Sequence, residues 1–238
     1  MSMLSRFATL GGLPPDPYFS SVSLLLNGDT LTDLSSSPKT ITAHGNTQIS
    51  TGTKKFGTGA LYFDGNGDCL YSPSNSGFYL NPADYFTIEM WINPTLIAGT
   101  TPRLIDIGVE AAADFLVLDF VVSSNLLRFG TQTATGAAIS TWAISYTGIP
   151  ATNTWTHIAI SCAGTGTNQV KLFINGTLSA SGTISSMGSN CSIWIGGITW
   201  VSATQYSYTG YIDDLRITKG IARYTTSFTP PTAAFPTS

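Results

Sequence analysis

The chain has 238 residues and a formal net charge of −3, and only 10% of its residues are charged. Average domains carry about 25% charged residues, so solubility here depends on Ser, Thr, Asn and Gly, which favour short strands joined by tight turns. The few Lys and Arg residues are scattered along the chain, which argues against a nucleic-acid-binding surface. No apolar run is long enough to cross a membrane.

The first residues differ in composition from the rest. The stretch GGLPPDP (11–17) contains three prolines, and prolines at this spacing cannot pair in a sheet. We therefore predict an extended N-terminal arm over residues 1–17, followed by one domain over residues 18–238. The arm carries apolar side chains without a surface of its own to cover them. We expect it to anchor the domain to copies of the same chain or to another protein, and folding back over its own domain is the alternative.

The remaining chain contains a succession of short strand-like segments. In FTIEMWIN (86–93) apolar residues alternate with others, which is the period of a strand. The pair Asn175-Gly176 is a strong signal for a two-residue hairpin turn. Further strand-like segments lie at 23–26, 40–45, 60–65, 115–122, 155–162, 192–198 and 211–218. Because helical periodicity is nearly absent, we predict an all-β sandwich or jelly roll of two antiparallel sheets, with less than about a tenth helix.

Six segments, taken in order, carry a resemblance to a known family. They are DPYFSSVSLLLNGDT (16–30), KKFGTGALYFDGNGDCL (54–70), FTIEMWINP (86–94), WTHIAIS (155–161), VKLFINGTL (170–178) and GYIDDLRITKGIARYTTSFTPPTAAFP (210–236). Together they resemble the laminin-G-like, concanavalin A-like lectin/glucanase domains found in bacteriophage structural proteins. The resemblance implies a two-sheet antiparallel jelly roll. The C-terminal segment of this chain contains prolines and cannot add a strand to a sheet, so we expect a strap over residues 219–238 that closes the fold.

The resemblance implies a non-enzymatic bacteriophage virion structural protein, on the capsid surface or in a tail appendage, whose lectin-like sandwich binds host-surface or environmental glycans. Two alternatives stay open: a capsid cement or decoration protein without a ligand, and a glycan hydrolase of the same fold. The expected partners are other virion proteins reached through the arm, further copies of the chain in a homo-oligomer, and glycans. We expect no nucleic acid, no membrane insertion, and synthesis in the host cytoplasm because no secretory signal is recognisable.

Candidate catalytic residues are scarce. The glucanases of this fold carry carboxylates on one strand as E-x-D-x-x-E, and glycoside hydrolysis needs two carboxylates flanking the bond. This sequence has two glutamates, Glu89 and Glu110, and lacks that pattern. We interpret Glu89 as a strand-face carboxylate bonded to neighbouring hydroxyls, and His157 as a structural residue. No catalytic residue is therefore predicted.

Aromatic side chains are better candidates for ligand contacts, because an aromatic ring can pack on the apolar C–H face of a sugar. Strand tryptophans such as Trp194 are expected in the core, where their large apolar surface is buried. Trp200, Tyr206 and Tyr208 lie in WVSATQYSYTG (200–210), a polar loop before the last strand-like segment. These three are the predicted glycan contacts, since loop tips bind partners more often than strand faces do.

Charged residues gather in the last strand-like segment, YIDDLRIT (211–218). Strict alternation places Asp213 with apolar neighbours on the inner face, where a carboxylate is costly unless it is compensated. Some related sandwiches hold calcium where their first and last strands meet. One interpretation is therefore a structural calcium ion bound by Asn27, Asp29 and Asp213, since calcium takes oxygen ligands. The other is that Asp213 accepts backbone N–H bonds and holds the following turn, KGIARY.

The neighbouring residues Asp214 and Arg216 are two apart, on the opposite face of the same predicted strand. We interpret them as a surface ion pair, which contributes little to stability. The charges near the C-terminus are thus assigned mainly to closing the fold.

Overall fold

The structure, a computed structural model, describes residues 14–108, 115–132, 141–184, 191–199 and 206–238. Within these residues helix is limited to four 3-10 turns, at Phe19–Ser21, Ser76–Phe78, Pro82–Asp84 and Val122–Ser124. None of the helices described is long or apolar enough to cross a membrane. The strands of the described chain are β1 (Val22–Leu26), β2 (Thr42–His44), β3 (Gln48–Ser50), β4 (Ala60–Asp64), β5 (Cys69–Ser72), β6 (Phe86–Leu96), β7 (Arg103–Gly108), β8 (Phe115–Val121), β9 (Leu126–Gln132), β10 (Thr141–Thr147), β11 (Thr156–Cys162), β12 (Val170–Ile174), β13 (Thr177–Gly182), β14 (Ser192–Ile195) and β15 (Thr209–Lys219).

The strands form two antiparallel sheets. The eight-stranded sheet has the order β13-β12-β11-β6-β15-β4-β3, with β1 also paired to β15, and the seven-stranded sheet has the order β10-β9-β8-β7-β14-β5-β2. Apolar side chains from both sheets meet in one continuous core. The predicted all-β, two-sheet antiparallel sandwich is confirmed.

The strand β6 and the hairpin β12–β13 follow directly from local sequence signals. Ile88 points into the core, whereas Glu89 lies on the outer face between β11 and β15, as the alternation of the segment predicts. Asn175 and Gly176 have φ angles of 48° and 75°. Both values lie in the left-handed region that a two-residue hairpin turn requires. The hairpin prediction is therefore confirmed.

The last strand, β15, departs from strict alternation. Its pairing with β6 shifts register between Asp213 and Arg216, and Asp214 has a φ of 51°, which marks a β-bulge. Ile212 and Leu215 both belong to the core, so one extra residue lies between two inward positions. Asp213 and Arg216 consequently share the outer face. The prediction that Asp213 points inward was wrong because the bulge interrupts the period of two.

The residues after β15 form a strap, 220–238, that crosses the outer face of the eight-stranded sheet. The ring of Phe228 packs edge-on against Phe173 of β12, with centroids 5.4 Å apart. Further along, Phe235 is buried in a small apolar cluster with Leu25 of β1. The strap therefore covers this face from β12 to β1 without joining the sheet as a strand.

The predicted arm is described only in part, because residues 1–13 lie outside the described residues. Residues 14–17 run beside the end of the strap, where the Asp16 N–H donates to the Ser238 carbonyl oxygen at 2.9 Å. The described end of the arm thus joins the domain on the side of the eight-stranded sheet.

Candidate functional site

The outer face of the seven-stranded sheet carries an unusual set of aromatic and charged side chains. Their neighbours along each strand belong to the core, and successive side chains of a strand point to opposite faces. Cross-strand pairing aligns the row Trp142, Gly130, Val117, Asp106, Trp194 and Tyr71. We define the aromatic–arginine face as Tyr71, Arg103, Asp106, Asp119, Arg128, Trp142, Trp194 and Tyr206.

One end of the aromatic–arginine face is formed by packed rings. The centroids of Tyr71 and Trp194 are 4.3 Å apart, and the ring of His44 lies 5.8 Å from that of Trp194. Tyr206 packs against the same cluster. Trp194 is buried, whereas Tyr71 and Tyr206 are partly exposed. This end therefore presents two phenol rings to solvent, supported by a buried indole.

Two arginines and two aspartates occupy the centre of the face. Arg128 on β9 donates from Nε and Nη2 to the two carboxylate oxygens of Asp119 on β8, at 3.0 and 2.8 Å. Arg103 on β7 donates from Nη1 to Oδ1 of Asp106 at 2.9 Å, and its Nε lies 4.0 Å from Oδ2 of Asp119. The two bonds between Arg128 and Asp119 fix the plane of that guanidinium group.

Each arginine also lies against an aromatic ring. The guanidinium carbon of Arg128 is 3.7 Å from the ring centroid of Trp142, and that of Arg103 is 5.0 Å from the ring centroid of Tyr206. A cation above an aromatic ring is attracted by the ring quadrupole. The aspartates therefore fix the positions of the arginine side chains, and the guanidinium groups pack against the rings of Trp142 and Tyr206.

The two aspartates are almost completely buried, at 2% exposure for Asp106 and 0% for Asp119. Burial raises the pKa of Asp106 to about 6, with Arg103 opposing the rise and Asp119 adding to it. Burial also raises the pKa of Asp119, although Arg128 and Arg103 oppose it. Buried carboxylates with perturbed pKa values are typical of functional sites.

The structure separates the three aromatic residues that were predicted to contact a glycan. Tyr206 belongs to the aromatic–arginine face. Tyr208 is instead a core residue: it is 1% exposed, its ring packs against Phe63, and its hydroxyl donates to the Tyr211 carbonyl oxygen at 3.2 Å. The Tyr208 N–H donates to the Gly196 carbonyl oxygen at 2.9 Å, directly after β14, and the ring lies in the core between the sheets. Trp200 lies outside the described residues.

Glu89, the carboxylate considered for catalysis, lies on the other sheet and is enclosed. Arg216 donates to its Oε1 from Nε at 3.0 Å and from Nη2 at 2.7 Å, and the Tyr224 hydroxyl donates to its Oε2 at 2.7 Å. Although burial alone would raise the pKa of Glu89, Arg216, His157 and Tyr224 together lower it to about 2. The predicted hydroxyl bond is present, but the principal partner is an arginine. Glu110 lies outside the described residues.

The interpretation of Asp214 and Arg216 as a surface ion pair was wrong. Both side chains are buried, at 0% and 5% exposure. Arg216 pairs with Glu89 and donates from Nη1 to Oδ2 of Asp16 at 2.9 Å, whereas Asp214 accepts the Phe235 N–H at 2.8 Å. The strap and the base of the arm cover both residues. The alternation of residues within the strand does not indicate that distant segments cover its outer face.

The three residues predicted to bind calcium, Asn27, Asp29 and Asp213, are occupied by backbone donors. Oδ2 of Asp213 accepts the N–H groups of residues 55–56 at 2.7 and 3.1 Å. Oδ1 of Asp29 accepts those of residues 58–59 at 2.5 and 3.1 Å, and Oδ1 of Asn27 accepts the Asp29 N–H at 3.1 Å. Within the described ranges, no group of three or more His, Cys, Asp or Glu is arranged to hold a metal ion. Converging N–H donors suit a carboxylate and disfavour a cation beside it, which favours the hydrogen-bonded interpretation over the calcium site.

Asp213 therefore accepts backbone N–H bonds, as the second interpretation held, but it holds a different turn. Its partners lie in the loop between β3 and β4 and not in KGIARY. The outward orientation that follows from the bulge explains the difference. Burial still raises the pKa of Asp213 to about 6 despite these bonds, and its Oδ1 is buried without a hydrogen-bond partner.

Sequence reasoning missed Arg103, Asp106, Asp119 and Arg128. A signal was present, because each stands inside an otherwise apolar strand segment of a chain with few charges. A charge at such a position is costly unless it has a partner. What the sequence could not supply is the register that brings the four together.

Known structures with similar folds include carbohydrate-related and receptor-binding domains. Domain 4 of AbnA, a GH43 extracellular arabinanase from Geobacillus stearothermophilus solved in complex with arabinotriose, is 21% identical over 89% of this chain and 96% of that chain, with a TM-score of 0.57. The receptor binding domain of botulinum neurotoxin D is 17% identical over 89% of this chain and 51% of its own, with a TM-score of 0.63. The binding domain of botulinum neurotoxin DC, in complex with SialylT, is 16% identical over 84% and 48%, with a TM-score of 0.60.

These likenesses support the fold, and the chain spans about half the length of the two neurotoxin domains. No curated protein matches the chain. A family model for the concanavalin A-like lectin/glucanases superfamily matches residues 64–222, which is more than half of the sequence. The chain therefore belongs to the concanavalin A-like lectin/glucanase superfamily.

Proposed function

We propose that the chain is a non-enzymatic carbohydrate-binding domain, and that glycans bind at the aromatic–arginine face. One observation carries this proposal: Arg103, Asp106, Asp119 and Arg128 form a largely buried charged cluster on the outer face of a sheet. Such burial costs free energy. In the described residues this cluster fastens no terminal segment, unlike the network around Glu89. Buried charged groups with perturbed pKa values on a sheet face are typical of a binding site.

The face offers both types of contact that a sugar requires. The partly exposed rings of Tyr71, Trp142 and Tyr206 can pack on the apolar C–H faces of sugar rings. The guanidinium groups of Arg103 and Arg128 present donors for hydroxyl or carboxylate oxygens, and the two bonds to Asp119 hold that of Arg128 in a fixed plane. Because ion pairs and ring contacts already hold the arginines in place, little side-chain entropy is lost on binding.

The similar structures support a binding role for this fold. The arabinanase domain was solved with arabinotriose, and one neurotoxin binding domain with SialylT. For this chain we propose binding to a glycan of the cell surface or the environment.

We favour binding over hydrolysis because the carboxylates are engaged. Both oxygens of Asp119 accept bonds from Arg128, and Oδ1 of Asp106 accepts one from Arg103. A glycosidase needs one carboxyl group to protonate the leaving group and a second to attack the sugar or to activate water. Glu89 lies on the opposite sheet, too far round the sandwich to complete such a pair.

The setting we propose is a bacteriophage virion, on the capsid surface or in a tail appendage. Its support is the resemblance of DPYFSSVSLLL and FTPPTAAFP to segments of phage structural proteins. The described end of the arm joins the domain at the eight-stranded sheet, opposite the aromatic–arginine face. An arm held by other virion proteins, or by copies of the same chain, would therefore leave that face directed outward.

Two measurements test the virion setting. Immunogold labelling of particles purified from cells that produce the chain should mark the capsid or the tail. A chain lacking residues 1–13 should fold, because Asp16 and its bonds remain, but should be missing from particles. Incorporation of the truncated chain at the wild-type level would contradict the anchoring role of the arm.

A glycan array tests the binding function. The wild type should bind a defined subset of glycans, and Trp142→Ala or Tyr206→Ala should weaken that binding by about tenfold, or roughly 1.4 kcal/mol. Tyr85→Asn is a matched control, since it removes an aromatic ring that is 46% exposed and lies outside the aromatic–arginine face. Failure of the wild type to bind any glycan would instead favour a structural cement protein without a ligand.

A further inference from the structure

A polar cavity of about 340 Å³ lies beside the start of β1 and the end of β15. Six serines and two lysines line it together with an asparagine, a valine and a glycine, and none of the lining residues is acidic. Small-molecule sites have volumes of about 300–1,000 Å³, so the cavity is large enough for a small ligand. We call it the lysine cavity, after Lys39 and Lys219.

Both lysine side chains approach the Ser76–Gly77 part of the cavity wall, and Lys39 also donates from Nζ to the Ser37 carbonyl oxygen at 2.5 Å and to the Ser35 hydroxyl at 3.4 Å. Lys219 donates from Nζ to the Ser76 carbonyl oxygen at 2.8 Å. Nζ of Lys39 lies 3.5 Å from the position that a Cβ would take at Gly77. An anion placed over Ser76–Gly77 would therefore lie between two positive charges.

These positive charges are incompletely compensated. In the part of the chain that the structure describes, Lys219 has no carboxylate within 4.0 Å, and the nearest one to Lys39 is Asp33 at 3.9 Å. The oxygens of Asp33 already accept backbone N–H bonds from residues 25, 35 and 39. The cavity consequently has a positive potential that favours an anion.

The burial of Lys39 points in the same direction. Its side chain is only 7% exposed, and burial lowers its pKa, with Asp33 opposing the change in part. A buried ammonium is costly unless negative charge lies near it. A bound anion would supply that charge and raise the pKa of Lys39 again.

The hydroxyl groups around the lysines indicate that the ligand is more than a bare anion. Serine hydroxyls both donate and accept hydrogen bonds, and the serines at 20, 37 and 76 are exposed at the cavity edge. We propose that the lysine cavity binds an acidic sugar, with its anionic group between Lys39 and Lys219 and its hydroxyls against the serines. This inference rests on the proposed function, since its ligand is a glycan, but it concerns a different surface from the aromatic–arginine face.

Isothermal titration of the full chain with four probes tests the inference. Glucuronic acid and a sulfated glucose should bind at least about tenfold more tightly than glucose, and the affinity should fall as NaCl screens the lysines. The two acidic probes distinguish a carboxylate from a sulfate ester as the preferred group. Inorganic sulfate should bind more weakly than either, because it cannot use the serines.

Substitutions locate the binding. Lys219→Gln should weaken the acidic sugars by about tenfold without disturbing the fold, because the side chain is partly exposed. Gly77→Ala keeps both lysines but places a methyl group 3.1 Å from Cε of Lys39, and it should weaken the same probes. Lys54→Gln is the matched control: this lysine lies in the loop between β3 and β4, outside the lysine cavity, where it donates to the Thr51 carbonyl oxygen, and its loss should leave the affinity for the acidic sugars unchanged.

Three outcomes would overturn the inference. They are equal affinity for glucose and glucuronic acid, unchanged affinity in Lys219→Gln, and inorganic sulfate binding as tightly as the acidic sugars. Trp142→Ala separates the two proposals. If it abolishes binding of the acidic sugars and Lys219→Gln does not, the anion binds at the aromatic–arginine face, and the proposed function stands while this inference falls. If the acidic sugars bind through Lys219 but Trp142→Ala has no effect on any glycan, the opposite holds.

Discussion

The free energy of unfolding should fall as the pH rises from about 6 to about 8, because Asp214 must ionise inside the fold. Asp214 is 0% exposed, its Oδ2 accepts the Phe235 N–H at 2.8 Å, and its Oδ1 has no hydrogen-bond partner. Burial raises its pKa to about 8, with the Phe235 N–H opposing and Asp213 adding to the rise. The unfolded chain ionises this carboxyl near 3.8, so the native state binds more protons across this range.

The size of the effect follows from the two pKa values. The stabilisation from protonated Asp214 is complete below about 3.8 and is lost progressively as the pH rises from there to about 8. Linkage gives a loss of about 2 kcal/mol between pH 6 and pH 8. Asp106 and Asp213, whose pKa values are about 6, add their losses mainly at lower pH. Glu89 acts in the opposite sense. Because its pKa is lowered to about 2, it contributes stability at neutral pH that is lost as the pH falls towards about 2.

Urea denaturation at several pH values, followed by tryptophan fluorescence, measures this slope. Asp214→Asn keeps an acceptor for Phe235 and suits the positive φ, so it should remove most of the loss between pH 6 and pH 8. Asp84→Asn, at an exposed aspartate, is the control and should leave the slope unchanged. A wild-type stability that is flat across this range, or an Asp214→Asn protein with the wild-type slope, would refute the reasoning.

Three other outcomes are expected. Glu89→Gln leaves the buried Arg216 without its principal negative partner and should lower the free energy of unfolding by about 3–5 kcal/mol in urea denaturation; an unchanged midpoint would contradict the structural role of that network. EDTA should not change the Tm of the wild type, and a drop in Tm would support the calcium site. Asp213→Ala should lower the free energy of unfolding by roughly 1–3 kcal/mol, because it leaves the N–H donors of residues 55–56 without an acceptor. Incubation with β-glucans should release no reducing sugar, and a release that Asp106→Asn abolishes would establish hydrolysis.

The parts of the fold that the sequence predicts well are those set by local rules. The alternation in 86–93 reflects the side-chain period of a strand, and Asn175-Gly176 reflects the positive φ angles of a tight turn. Neither signal depends on what lies elsewhere in the chain. The strand β6 and the hairpin β12–β13 could therefore be located without tertiary information.

The strand β15 shows where a local pattern stops being sufficient. The bulge at Asp214 depends on how β15 pairs with β6, and it turns Asp213 from the inner face to the outer one. The burial of Arg216 depends on cover from residues far away in sequence, at Asp16 and in the strap. The alternation of YIDDLRIT indicates neither the bulge nor the cover. The sequence therefore placed Asp213 on the wrong face and predicted Arg216 to be exposed.

The candidate site was predictable only through Tyr206. Tyr206 and Tyr208 carry the same signal in sequence, two aromatic residues in one polar stretch, yet one lies on a sheet face and the other in the core. Both residues precede β15, which starts at Thr209, so the alternation of that strand does not decide which ring is buried, and packing against the rest of the chain does. The charged cluster spans β7, β8 and β9, so its members meet only through the register of three strands.

Both outer faces of the sandwich contain arginines buried against carboxylates. The arrangement on the seven-stranded sheet links neighbouring strands, whereas the one on the eight-stranded sheet also links the arm and the strap to the sheet. On the eight-stranded sheet, Arg216 bonds to Glu89 of the central strand β6 and to Asp16 at the base of the arm, and the ring of Phe235 lies 3.7 Å from its guanidinium carbon. One side chain thus couples the sheet, the arm and the strap. Releasing either segment would expose or strand the same charge, which makes detachment of one segment costly while the other stays bound. A load applied through the arm would therefore reach the middle of the eight-stranded sheet and not an edge strand, which is consistent with our proposal that the arm attaches a displayed binding domain.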